Sequence, residues 1–248
     1  MLAVRKPRAG MLGSTPRSMV KEGYTFGMPP VVLGGVFYLL HWNVAAVFLV
    51  LLALFVFSFF RDPERVIPVE AGAVVSPGDG RVVVVTDEDC EGRPGKRVSI
   101  FLAVWNVHVN RSPAAGTITK MEYRPGKFLA AMMERASMEN EQNVFTLSTD
   151  AGEIVFKQIA GLIARRVVSW KKIGDKVARG ERIGLVRFGS RVDLWVPKDA
   201  EILVKVGENV KGGASVRARW PGKPKAGKSD ATSAVPMDAN LTTTGKQS

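Results

Sequence analysis

The chain has 248 residues, a formal net charge of +12, one cysteine and two histidines. That length suits one sizeable domain with appendages, and the charge points to an anionic partner, nucleic acid or a membrane surface. Cys90 alone excludes an internal disulfide framework, and His41 and His108 are too few for a Cys/His zinc site.

Residues 1–22 form a basic leader carrying Arg5, Lys6, Arg8, Arg17 and Lys21. No acidic or basic residue then occurs from Gly23 to Phe60, apart from His41. The arm Val44–Phe60, 17 residues, comes close to the roughly 20 that a bilayer core requires. The arm Val31–Leu40 is too short to span alone. Arg61 and Arg65 follow the apolar segment, so both flanks are basic and belong on the cytoplasmic side. The expectation for 23–60 is a membrane hairpin turning at His41-Trp42-Asn43, with a single crossing as the alternative. A cleaved signal peptide fits poorly, because no small-residue cleavage site follows the apolar stretch.

From residue 61 to 220 the pattern changes to short β-branched runs broken by Gly and Pro. Strands are expected at 82–85, 98–104, 116–123, 154–159, 182–188, 202–206 and 215–220, and a helix at Ala130–Ser137. Asp87, Glu88, Asp89 and Glu91 around Cys90 read as a solvated hairpin loop. Ile173-Gly174-Asp175-Lys176-Val177 with Gly180 echoes Val206-Gly207-Glu208-Asn209-Val210 with Gly213 at the same spacing. The expected fold is therefore mainly β (α+β): a compact β-rich domain with duplicated hairpins of the barrel-sandwich or lipoyl kind, behind a membrane-associated helical segment.

Within that body, Gly189-Ser190 lies between two stretches that read as strands. A serine hydroxyl can attack the preceding carbonyl when glycine leaves the approach open. An N-to-O acyl shift, β-elimination and hydrolysis then leave a pyruvoyl group, an electrophile that forms a Schiff base with an amine. Gly13-Ser14 is the same dipeptide in a leader with no fold to position it. The tail 221–248 is poor in apolar residues and is expected to be disordered. Its Gly222–Ser229 matches a P-loop letter for letter but lacks the preceding buried strand and following helix that phosphate binding needs.

A set of further motifs resembles the phosphatidylserine decarboxylase proenzymes, in particular the short archaeal-type class also found in bacteria. They are Phe59-Phe60-Arg61-Asp62-Pro63-Glu64-Arg65, Ser76-Pro77-Gly78-Asp79-Gly80-Arg81-Val82 and Val107-His108-Val109-Asn110-Arg111-Ser112-Pro113. Glu139–Asn143, Ile159-Ala160-Gly161 with Ala164-Arg165-Arg166, and Phe188-Gly189-Ser190-Arg191 complete the set, in the family's order over residues 22–220. The resemblance implies a pyruvoyl-dependent lyase of the cell membrane, facing the cytoplasm, that converts phosphatidylserine to phosphatidylethanolamine and carbon dioxide. Cleavage between Gly189 and Ser190 would yield a β chain and an α chain that stay together as a heterodimer. Ser190 would become the pyruvoyl cofactor. Asp79 and His108 would assist maturation, Asp79 by orienting His108. Longer members carry a second histidine three positions after the first, where this chain has Arg111.

Three rival readings compete. A carrier or adaptor domain shares the 174–184 hairpin but would expose a modified lysine at a tight turn, and it leaves Gly189-Ser190 unexplained. A pyruvoyl enzyme for a soluble amino acid needs no apolar segment. A nucleic-acid binder would show a recognisable reading motif, and none is present.

Overall fold

The computed structural model describes residues 19–90, 92–162, 166–187 and 189–220. Most of the leader with Gly13-Ser14, the single positions Glu91 and Phe188, the pair Ala164-Arg165, and the tail with its P-loop pattern lie outside the described residues.

Two antiparallel helices come first, α1 (Lys21–Leu39) and α2 (Asn43–Phe59), reversing at His41, whose φ is 59°. The turn falls where the sequence places it, but the first arm begins ten residues earlier and runs through Pro29 and Pro30. Among the described residues no helix is long and apolar enough to cross a membrane. The base of the hairpin is fastened to the body. Val20, Val56, Phe59 and Phe60 form one buried cluster with Val107, Val109 and Leu185.

The body runs β1 (Ala73–Val75), β2 (Gly80–Asp87), β3 (Gly95–Leu102), β4 (Val109–Arg111) and β5 (Gly116–Arg124), then a one-turn helix α3 (Ala136–Glu139). It continues through β6 (Gln142–Ser148), β7 (Glu153–Ile159), β8 (Val167–Ser169), β9 (Lys176–Val177) and β10 (Arg182–Val186). After the break at Arg187–Gly189 come β11 (Ser190–Pro197), β12 (Glu201–Ile202), β13 (Asn209–Val210) and β14 (Val216–Arg219). Eight strands form one sheet in the order β13-β2-β3-β11-β7-β6-β5-β9, and two three-stranded sheets have the orders β1-β14-β12 and β4-β10-β8. The protein is β-rich, as expected.

These orders are symmetric about the β11–β7 pair, because the body is a duplication. One half is β1–β3 with β11–β14, and the other is β4–β10, inserted between β3 and β11. Val75 N–H donates to the Pro113 carbonyl and Arg111 N–H to the Pro77 carbonyl, both at 2.9 Å. Gly180 N–H donates to Ser112 O as Gly213 N–H does to Ser76 O, each at 2.8 Å. The echoed hairpins at 173–180 and 206–213 supply β9 and β13, which close opposite edges of the large sheet. A sheet edge leaves backbone groups unpaired, so the same short strand was used at each end.

Several expectations need correction. Ala130–Ser137 is mostly turns, with helix only from Ala136. Met132 and Met133 are exposed and give no buried face to stabilise so short a helix. The Ile202–Val206 strand stops at Ile202, and β1, β4, β6 and β8 were not anticipated. In β6 the polar Gln142, Asn143 and Thr146 are buried, so apolar alternation does not mark the strand. The acidic segment at 87–90 does lie in the β2–β3 hairpin.

Candidate active site at the break before β11

Ser190 is the first residue of β11, the strand held between β3 and β7 at the centre of the large sheet. It is fully buried, and its hydroxyl has no hydrogen-bond partner. A buried polar atom without a partner is costly, and such atoms concentrate where chemistry needs them. Gly189 turns the chain into the strand with φ of 62°, a conformation glycine adopts without strain. Its carbonyl oxygen lies against Gly161, where a Cβ would stand only 1.8 Å away. Gly161 is thus required by the close approach of the Gly189–Ser190 peptide. The sequence showed it only as part of Ile159-Ala160-Gly161, with no role.

Register defines what shares the serine's face. Ser190 pairs with Leu102, and Val192 pairs with Ile100 on one side and Gln158 on the other. Residues directly opposite in an antiparallel ladder share a face, as do positions i and i+2. Ser190, Leu102, Ile100, Val192 and Gln158 therefore line one layer. Arg191 and Asp193 point the other way: Arg191 donates to Asp193 Oδ1 at 2.7 Å and to Ser99 Oγ at 2.8 Å. Ser137 bonds Asp193 there, which fastens the 130–139 segment beneath the start of β11.

His108 precedes β4 and is 1 % exposed. Its carbonyl accepts from Val186 N–H, which puts it beside the end of β10, just before the break. Nδ1 lies 2.9 Å from the Asn106 carbonyl, so Nδ1 carries the proton and Nε2 is left as a free acceptor. Nε2 is buried and has no partner. Burial lowers the ring's pKa to about 4, against the Asn106 contact, while the positive charge of Arg61 lowers it further. At neutral pH the imidazole is an uncharged base. Phe59, at the end of α2, lies against the ring with centroids 4.1 Å apart.

Asp79 and this histidine have different hydrogen-bond partners. The Asp79 carboxylate accepts from Arg65 at 2.8 Å and from Gly212 N–H at 2.7 Å, and the orienting group on His108 is Asn106. Burial raises the Asp79 pKa, opposed by the Gly212 hydrogen bond and by Arg65. Gly212 follows Ser190 in sequence, so Asp79 joins the segments before and after the break. Arg111, which stands where longer relatives have a histidine, is held by Asp62, Pro63 O and Gly180 O. It braces residues 62–63 and is no candidate base.

Asn110 and Gln158 were missed as site residues. Gln158 Nε2 donates to Asn110 Oδ1 at 2.9 Å, both side chains are fully buried, and Asn110 Nδ2 has no partner. A buried polar pair beside an unpaired serine is visible only once β4 and β7 are brought together.

The residues fit a pyruvoyl group at position 190. The position is enclosed and walled by Leu102 and Val192, and its own oxygen is uncommitted. The twin half shows what the space could otherwise hold. There Gly152 takes the place of Ser190, and the Trp220 ring packs where a Gly152 Cβ would point. Val186 takes the place of Trp220, since each donates its N–H to the residue before its partner strand, His108 or Gly72. The smaller Val186 thus occupies the position that holds the indole in the twin.

A buried serine hydroxyl with no partner, directly after a left-handed glycine, is the kind of arrangement an N-to-O acyl shift starts from. The phosphatidylserine decarboxylase family model matches residues 52–218. A phosphatidylserine decarboxylase proenzyme of Symbiobacterium thermophilum is 48% identical over 207 residues, covering 82% of this chain and 96% of the relative. Those of Magnetococcus marinus (46%, covering 83% and 96%) and Solibacter usitatus (51%, covering 73% and 88%) are similar too. The chain belongs to the phosphatidylserine decarboxylase family.

Proposed function

We propose that this chain is a proenzyme that cleaves its own Gly189–Ser190 bond and then decarboxylates phosphatidylserine to phosphatidylethanolamine at a membrane surface. The observation that carries the reading is the buried, unpartnered Ser190 hydroxyl behind a left-handed Gly189 whose carbonyl rests on Gly161. His108 Nε2 takes the hydroxyl proton and passes it to the departing amide nitrogen as the Gly189 acyl group moves to oxygen. A pyruvoyl group formed at position 190 would supply a carbonyl electrophile for the head-group amine and an electron sink for the loss of carbon dioxide. His108 then holds a proton in the same water-poor space and returns it to the carbon that lost the carboxylate.

Cleavage leaves the two chains interleaved. In the α chain from residue 190, β11 pairs with β3 and β7, β13 with β2, and β14 with β1, all contributed by the β chain. The hairpin 21–59 serves lipid access. It exposes Leu39, Leu40, Trp42, Val44 and Phe48, while its base touches His108 through Phe59. Each lipid CH₂ pulled into water costs about 0.8 kcal/mol, so the site must meet the head group at the bilayer. A hairpin dipping in from the cytoplasmic face, with residues 61–220 as the catalytic domain, meets that need.

Intact mass spectrometry of the full chain and of a Ser190→Ala variant tests this. The expected wild-type products end at Gly189 and begin at a residue 190 that has lost ammonia and gained no net oxygen. The variant stays whole. A wild-type chain that remains single in detergent or lipid refutes the reading.

A further inference from the structure

Four buried polar atoms around the break lack partners: Arg187 Nε, and the set Ser190 Oγ, His108 Nε2 and Asn110 Nδ2. Asn110 belongs to the serine's layer. A Cβ on Gly78 would stand 3.3 Å from Asn110 Nδ2, 3.4 Å from Val192 Cγ2 and 3.5 Å from Leu102 Cδ1. Leu102 is the cross-strand partner of Ser190, and Val192 is two residues along the same face. Gln158, which fixes the amide by donating to Oδ1, is the partner of Val192 on the other side. With Oδ1 engaged, what Asn110 presents to this layer is an N–H donor.

The chemical roles are complementary. His108 Nε2 accepts, Asn110 Nδ2 donates, and a serine hydroxyl needs an acceptor for its proton and a donor for the charge left on oxygen. The three stand beyond bonding distance of one another in this resting geometry. Catalytic hydrogen bonds in unreacted states are often long, and rotation about the serine Cα–Cβ bond sweeps the oxygen across this face.

The duplication argues against a purely structural role for the amides. Asn110 pairs with Gly184 as Val74 pairs with Ala218, and the ladders place Val196 where the inserted half has Gln158. Val74 and Val196 belong to one buried apolar cluster. The same fold is therefore built in the twin half with two valines, and a buried amide pair is an added cost unless it is used.

We infer that Asn110 is a catalytic residue of self-cleavage, its side-chain N–H stabilising the negative charge that develops on Ser190 Oγ as His108 removes the proton. The step is an isomerisation. The bond from Ser190 Oγ to the Gly189 carbonyl carbon forms, the Gly189–Ser190 C–N bond breaks, and the proton travels from Oγ through His108 to the nitrogen. The inference rests on the self-cleavage reading above.

The test follows chain cleavage over time by intact mass in Asn110→Asp, which exchanges the donor for an acceptor of the same shape. It also uses the double variant Asn110→Val with Gln158→Val, which installs the twin half's packing. Loss of one donor to the charge that develops in an acyl transfer typically slows it by roughly 100- to 1000-fold. Both variants are expected to fold, by circular dichroism and melting, and to cleave at least about 100-fold more slowly. Hydroxylamine, which splits an ester, is expected not to release the chains, because the ester forms too slowly. Cleavage of either variant at the wild-type rate overturns the inference, and so does rapid release by hydroxylamine. Wild-type and Ser190→Ala chains run alongside separate this from failure of the self-cleavage reading. An uncleaved wild type, or a cleaved Ser190→Ala, sinks that reading itself.

Discussion

The two halves of the body share a backbone and differ in what they place on it. Ser76-Pro77-Gly78-Asp79-Gly80 and Ser112-Pro113-Ala114-Ala115-Gly116 make the same turn: Ser76 Oγ donates to Gly78 O at 2.6 Å and Ser112 Oγ to Ala114 O at 2.7 Å. At paired positions, one member is polar and the other is glycine or apolar. Ser190 answers to Gly152, Asn110 to Val74, Asp79 to Ala115 and His108 to Gly72. Fold and chemistry are thus separable here, because the molecule contains a control for each site residue. The candidate site also draws on both halves, with Ser190 from one and His108, Asn110 and Gln158 from the other.

The largest expected effect that sharpens the contrast is on His108. His108→Gln keeps a polar group of similar size but removes the base, and the cleavage rate should fall roughly 10²- to 10⁴-fold. In the wild type, the lowered pKa of about 4 means the imidazole is already free of its proton at neutral pH. Cleavage should hold level from pH 8 down to about 6 and decline only as pH approaches 4. Folding stability has the same sign. The unfolded ring binds its proton near pH 6.5 and the native ring near 4, so stability is retained above the unfolded value and lost on acidification between the two. A cleavage midpoint near 6.5 would show that the ring is open to solvent.

Phe59 tests whether the hairpin is merely a tether. It is 1 % exposed and in contact with the imidazole, so Phe59→Ala should cost about 3–5 kcal/mol by thermal or denaturant unfolding in detergent. It should also move the cleavage midpoint upward, since a hydrated His108 regains its proton more easily. An unchanged midpoint would separate the hairpin from the site.

The smallest effect is expected at Asp79. Ala115 shows that the turn needs no carboxylate, so Asp79→Ala should keep the fold and lose only the bonds to Arg65 and Gly212. A loss of about 1–3 kcal/mol is expected from unfolding measurements, with the His108 pH profile unmoved. A shifted profile would restore Asp79 as the residue that orients the histidine.

Local chemistry made much of this legible in the linear chain. Gly189-Ser190 stood out because few dipeptides can undergo an acyl shift, and the two echoed glycine hairpins signalled a duplication because their backbone angles demand glycine. The apolar stretch before Arg61 and its turn at His41 were also readable, since continuous hydrophobicity is a one-dimensional property. Tertiary structure alone decided the rest. Asn106, two residues before His108, displaced Asp79 as its partner because the latter was claimed by Arg65 and by a glycine 133 positions further on. Asn110, Gln158 with Gly161, and Phe59 come from three separate segments, and none had an individual role until folding bonded Gln158 to Asn110, set Gly161 against the Gly189 carbonyl and laid Phe59 on His108. Residue type and spacing encode what a side chain can do, while its free valence depends on which distant groups have already bonded to its neighbours.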